Sequence, residues 1–219
     1  MKHFLLLLLT ILSITSATIQ AQEKPDLKAK AILDDLSTKT KSYSTIRAEF
    51  TFTVEGRDKK SETQSGILQL KGDKYKLEIK GQEIISDNKT VWTFLKDANE
   101  VQVNNVDMTS ADAVNPSTIF TIYEKGFKYK FDKEEMQGNT TLQIIDLYPL
   151  NPDKKKFHTV KLLIDKSKKQ IAVVKIFMKD GSVVTYNVKI FTPNAEIKDT
   201  TFAFDAKAHP GVEVVDLRD

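Results

Sequence analysis

The chain of 219 residues contains no cysteine. That excludes disulfides, thiol catalysis, thiolate metal sites and a lipid anchored on an N-terminal cysteine. Arginine is scarce and appears only at Arg47, Arg57 and Arg218. A nucleic-acid binder would carry a clustered, arginine-rich face. Here the net charge is +3 and comes from scattered lysines, so no nucleic-acid partner is expected. The three histidines, His3, His158 and His209, stand in no His-x-x-x-His or Glu-x-x-His spacing, so no metal is expected. Glycine-rich phosphate loops are missing. Asp34-Asp35 and Glu134-Glu135 are sequence neighbours, which point apart on a helix or strand and make no acid/base pair. The chain therefore reads as a non-enzyme with no catalytic residues and no cofactor. Lys154-Lys155-Lys156 and Lys166–Lys169 fall at hairpin turns and read as solvated charge.

Long apolar runs are also lacking, apart from Phe4–Leu12. Lys2 and His3 precede it, and small and polar residues follow to Ala21. This is the order of a secretory signal. The run is far short of the roughly 20 residues a membrane-spanning helix needs. Cleavage after Ala21 would leave residues 22–219 as one exported domain in the periplasm, expected to be monomeric.

Pro25 and Asp26 open a helical pattern, with Ala29, Leu33 and Leu36 on one face, ending near Lys41. The period then changes to two. Ile46, Ala48, Phe50, Phe52 and Val54 alternate with Arg47, Glu49, Thr51 and Thr53, the pattern of a half-buried strand. Gly66, Leu68 and Leu70 continue it, and Gly72-Asp73 turns into Tyr75, Leu77 and Ile79. Turns at Gly81-Gln82, Asp87-Asn88-Lys89 and Asp97-Ala98-Asn99 bracket a strand with Trp92 and Phe94 and one with Val101 and Val103. Thr109–Lys125 reads as one or two short helices, with Pro116 at a helix start and Gly126 as a stop. Strands resume at Phe127–Phe131, Thr140–Tyr148, His158–Asp165, Gln170–Met178 and Val183–Phe191, with a hairpin turn at Asp180-Gly181. A final strand is expected at Thr201–Phe204.

Many strands carry a lysine-rich face, and helices are few. The economical assembly is a mainly β fold: one large curved antiparallel sheet, an incomplete barrel, with the N-terminal helix and short lid helices over its concave face. Trp92 and Phe94 are expected on that face with Phe50, Phe52, Leu77 and Ile79. Such a face suits an ordinary core or a hydrophobic ligand.

These residues, taken in order, resemble the periplasmic outer-membrane lipoprotein carriers of the LolA type. The resemblance lies in Tyr43–Phe50, in Gly66–Leu70, and in Ile84-Ile85-Ser86-Asp87-Asn88-Lys89-Thr90-Val91-Trp92, where the family has an apolar pair, Ser-Asp-Gly-Lys and tryptophan. It continues in Asn115-Pro116 with Ile119 and Phe120, and in Thr201–Phe204 and Gly211–Val214. It implies an incomplete barrel with a lid over a hydrophobic cavity. It also implies a shuttle for acylated lipoproteins, loaded by an inner-membrane lipoprotein-releasing transporter; whether a dedicated outer-membrane acceptor receives the cargo stays open. The implied acyl-cavity residues are Phe50, Phe52, Leu68, Leu70, Leu77, Ile79, Trp92 and Phe94, with Ile119, Phe120 and Tyr123 from the lid. Where the family has an Arg-Pro pair whose arginine latches the lid, this chain has Lys71-Gly72-Asp73. The alternative reading is a periplasmic protein of the same fold for another lipid or hydrophobic ligand. A small outer-membrane barrel ranks below both, because of the helical segments.

Overall fold

A computed structural model describes residues 26–106 and 120–218. The signal segment, Ile119 and most of the expected lid helices lie outside the described residues. The helix α1 spans Leu27–Lys41 and buries Ala29, Leu33 and Leu36, as the spacing predicts. Asp26 caps it: one carboxylate oxygen accepts from the Ala29 backbone N–H at 2.9 Å. The other accepts from the Phe131 N–H at 2.8 Å, tying the helix start to a strand. Both bonds favour the charged form, so the Asp26 pKa lies below its ordinary value of 3.8, with the Ala29 bond the larger cause.

A depressed carboxylate pKa contributes stability above the unfolded-state value and loses it as pH falls through the folded-state value. Asp26→Ala should therefore cost about 1–2 kcal/mol at neutral pH. That difference should shrink as pH falls below about 4. Urea titrations of both proteins at several pH values would measure it; a gap independent of pH would refute this account.

Twelve strands follow among the described residues: β1 Ile46–Glu55, β2 Ser61–Lys71, β3 Lys74–Ile79, β4 Gln82–Ser86, β5 Thr90–Leu95, β6 Glu100–Asn105, β7 Phe127–Gln137, β8 Thr140–Pro149, β9 Phe157–Asp165, β10 Gln170–Met178, β11 Val183–Pro193 and β12 Glu213–Asp216. They form one curved sheet, in the order β12-β6-β5-β4-β3-β2-β1-β11-β10-β9-β8-β7, that does not close into a barrel. Most neighbours are joined by hairpins. The turns use the residues such turns demand: Gly181 at φ +87° and Asn88 at φ +77° both take the left-handed conformation. Two joins are long-range: β12 lies beside β6, and β1 pairs with β11, antiparallel from Ile46 opposite Pro193 to Glu55 opposite Val183.

The face that carries α1 is the inner face. α1 packs on β7 and β10. Beneath it lie Ile145, Leu147, Val160 and Leu162, all fully buried in one continuous core. Register extends this face through Val174 and Tyr186 to Phe52, and through Phe50, Leu68 and Leu77 to Ile84.

The expected strand at Thr201–Phe204 is instead a 3₁₀ turn, Asp199–Phe202. Its β-branched and aromatic residues imitate a strand, yet it packs against β3, whose two edges are already paired with β2 and β4. Residues 194–212 carry the chain from β11 across the sheet to β12, which pairs parallel with β6. This crossover is anchored by Asp199 to Lys71 and Lys74 and by the packing of its turn against β3. Phe204 and His209 stack on each other and both meet Phe94 on β5 at a tilt.

Candidate functional site

The inner face of β1–β4 and β11 differs from the face beneath α1. Leu147 and Leu162 are fully buried, whereas Phe52, Leu77, Ile79, Ile84, Val184, Tyr186 and Val188 are only half-buried. An aromatic group lies at its centre. Phe52 stacks with Tyr186 at 6.0 Å between centroids, and Phe50 lies 6.0 Å from Tyr186 and 6.5 Å from Phe52. Burial alone pushes the Tyr186 and Tyr75 hydroxyls above their ordinary pKa, so both stay neutral at physiological pH. The surface is apolar, continuous and uncharged along these positions, which suits hydrocarbon.

Gly66 shapes this surface. It lies opposite Phe50 on β1 and Ile79 on β3, and the Phe50 ring occupies the space a side chain would fill. A β-carbon there would meet Phe50 Cζ at 2.5 Å and the Glu78 carbonyl oxygen at 3.0 Å. The Glu78 oxygen belongs to the strand backbone, and the Phe50 ring is hemmed in by Phe52 and Tyr186. Gly66→Ala should destabilise by about 1–3 kcal/mol through overpacking. That exceeds the roughly 0.4–1 kcal/mol gained by stiffening the unfolded chain. Thermal unfolding measures the balance, and a variant more stable than the parent would contradict it.

Of the expected acyl-cavity residues, Phe50, Phe52, Leu68, Leu70, Leu77 and Ile79 share the inner face. Trp92 and Phe94 do not. Ile84 pairs with Thr93 and Ser86 with Val91, so the inner residues of β5 are Val91, Thr93 and Leu95. Trp92 lies on the outer face between Ile85 and Val103, and Phe94 lies opposite Val101. Alternation correctly placed Trp92 and Phe94 on one side of their strand; the register of the Ser86–Thr90 hairpin made it the outer side. The clue in the sequence is Ile84-Ile85, an adjacent apolar pair that points one residue to each face. The crossover supplies the cover for the outer cluster: the Phe94 and His209 rings are 4.4 Å apart, and Phe204 stacks on His209 at 4.9 Å.

The lid region is seen at its end. The 3₁₀ turn Ile122–Glu124 is its described regular structure. Phe120 and Tyr123 are buried in the inner core, and Phe120 meets Phe191 edge-on at 5.5 Å. Glu124 joins this segment to α1, accepting from Ser37 Oγ at 2.6 Å and pairing with Lys41 at 2.8 Å. The Tyr123 hydroxyl is buried without a hydrogen-bond partner among the described residues, and desolvation, followed by the Glu124 charge, raises its pKa. Lys71 pairs with Asp199 of the crossover at 3.2 Å. Sequence reasoning missed Tyr186 and Val184, because it could not bring β11 beside β1, and Ile84, which lies beside Leu77 on β4. No cluster of metal-binding geometry occurs among the described residues.

A curved open sheet with one helix and an apolar inner face is the fold of lipid- and lipoprotein-binding carriers. The sequence matches the family described as outer membrane lipoprotein carrier protein LolA over residues 41–205, and the chain belongs to that family. No protein of curated function matches it. Among solved structures, an uncharacterized conserved protein from Thermus thermophilus is similar at 14% identity and a TM-score of 0.57, over 86% of this chain and 99% of that one. A DUF1329 family protein from Desulfovibrio piger is similar at 12% identity and a TM-score of 0.50, over 83% of this chain and 98% of that one. Lipoprotein LppX from Mycobacterium tuberculosis gives 12% identity and a TM-score of 0.49, over 79% and 98%.

Proposed function

We propose that this chain is a periplasmic transport chaperone, exported by its N-terminal signal, that binds lipoprotein acyl chains and carries them from the inner to the outer membrane. The observation that carries this reading is the half-buried apolar stretch around Phe50, Phe52, Tyr186 and Ile79, in a chain of the lipoprotein-carrier family. Each methylene taken from water is worth about 0.8 kcal/mol, so one bare acyl chain costs on the order of 10 kcal/mol to expose. A shuttle must offset that cost and still release its cargo. Phe120 and Tyr123 occupy part of the same face, so cargo and lid segment compete for it. Loading is then a population shift between two occupants of one surface, without a covalent step. Lys71 is engaged by Asp199, so the lid in this chain is held by apolar packing and by Glu124 rather than by a family-type arginine. An inner-membrane lipoprotein-releasing transporter is the expected donor.

Co-expression with an acylated lipoprotein, followed by co-purification and mass spectrometry of the bound lipid, tests the proposal. Binding should vanish when the cargo's acylated cysteine is replaced by serine. Equal recovery of unacylated cargo would sink the acyl-chain reading, and a free lipid in place of any lipoprotein would favour a carrier for another lipid.

A further inference from the structure

The charged clusters outside the inner face are not equivalent. At the turn between β9 and β10 each lysine has a carboxylate partner: Lys166 pairs with Glu134 at 2.9 Å, Lys168 with Asp165 at 3.7 Å and Lys169 with Asp35 at 2.8 Å. The opposite end of the sheet differs. There the β8–β9 loop meets the start of β7 and the β10–β11 turn. Leu150 N–H donates to the Gly126 carbonyl at 2.9 Å, Lys179 N–H to that of Lys156 at 2.8 Å, and Lys179 Nζ to that of Pro152 at 2.8 Å. Residues 125–128, 149–156 and 178–182 thus form one corner, in which Lys125, Lys154, Lys155 and Lys179 stand against two carboxylates, Asp153 and Asp180. Asp180 is already engaged by the Ser182 N–H and hydroxyl. Neither Lys154 nor Lys155 is ion-paired among the described residues. At the tip stands Leu150, 53% exposed, with Tyr148 beside it at 40%.

We infer that this corner docks the protein on the surface of an anionic phospholipid bilayer. Lysines supply attraction to headgroups, at about 1 kcal/mol each near such a surface, and a protruding leucine reaches the acyl boundary. Lysine suits this task as a mobile point charge. The corner lies at the end of the sheet where the inner face is half-buried. Phe157 pairs with Met178, Phe177 with Val183, and Val183 with Glu55, next to the strand ends that hold Phe52 and Val184. Docking therefore turns the apolar stretch toward the bilayer. The inference does not rest on lipoprotein cargo, since vesicle binding and cargo uptake are read separately.

The test is co-sedimentation of the exported chain, freed of residues 1–21, with vesicles of phosphatidylcholine alone or with about one-third phosphatidylglycerol. Binding is expected only with phosphatidylglycerol, and it should fall as salt rises toward about 0.5 M. Lys125→Gln/Lys154→Gln/Lys155→Gln should weaken it about tenfold or more. Lys166→Gln/Lys168→Gln/Lys169→Gln, with the same net charge, should leave it within about twofold, because those lysines are already paired. Leu150→Ser, which keeps every charge, should weaken it several-fold and guards against a folding defect in the first variant. Absence of binding to phosphatidylglycerol vesicles, or an equal loss in both lysine variants, would overturn the inference.

Discussion

Phe202→Ala is expected to destabilise the protein by about 3–5 kcal/mol and lower its melting temperature by on the order of 10 °C. Phe202 is 1% exposed, in a turn packed against β3 within the segment that carries the chain from β11 to β12. The other anchors of that segment are weaker. Asp199 is largely exposed, so its pairs with Lys71 and Lys74 contribute about 1 kcal/mol or less. The stack of Phe204 and His209 on Phe94 adds about 0.5–1.5 kcal/mol beyond its buried area. β12 is only four residues long and has β6 as its neighbour in the sheet. Without Phe202, hydrogen exchange in residues 213–216 should accelerate before the rest of the sheet opens. Lys71→Ala/Lys74→Ala serves as the comparison and should cost far less. If the double lysine variant proved the more damaging, the crossover would be held by charge rather than by apolar packing.

Phe52→Glu is expected to lower the affinity for a fluorescent fatty-acyl probe by tenfold or more. Phe52 lies on the inner face, stacked with Tyr186 at 6.0 Å and an interplanar angle of 26°. A carboxylate pressed against hydrocarbon costs several kcal/mol, and each 1.4 kcal/mol, roughly, is a factor of ten in affinity. Phe52 is only half-buried, so the new carboxylate keeps water and the fold loses less than the binding does. Trp92→Ala is the informative partner. Trp92 faces outward between Ile85 and Val103, so its loss should change probe affinity by less than about twofold while reducing stability. Loss of uptake in Trp92→Ala with uptake intact in Phe52→Glu would reverse the assignment of faces.

Much of this was legible in residue order. The spacing of Ala29, Leu33 and Leu36 specified α1, because three-and-four spacing lines up side chains on one helical face. Strict alternation from Ile46 to Val54 specified β1 and its buried side, and the turn residues at Gly72, Asn88 and Gly181 marked hairpins, since few residues tolerate the left-handed backbone. The ordered motifs identified the family.

The tertiary structure decided the rest. Which side of β5 faces inward depends on the register of one hairpin, and a shift of one residue exchanges every side chain between faces. The meeting of Phe52 with Tyr186 joins strands far apart in sequence, and periodicity carries no information about which strands become neighbours. The outer aromatic cluster exists because a crossover that resembles a strand lies over the sheet, where burial of Phe202 and the stack on Phe94 outweigh local propensity for extended pairing. Local sequence thus determined the elements and the spacing of their apolar residues; long-range packing alone assigned those residues to a solid core, an outer cluster or a half-buried inner surface.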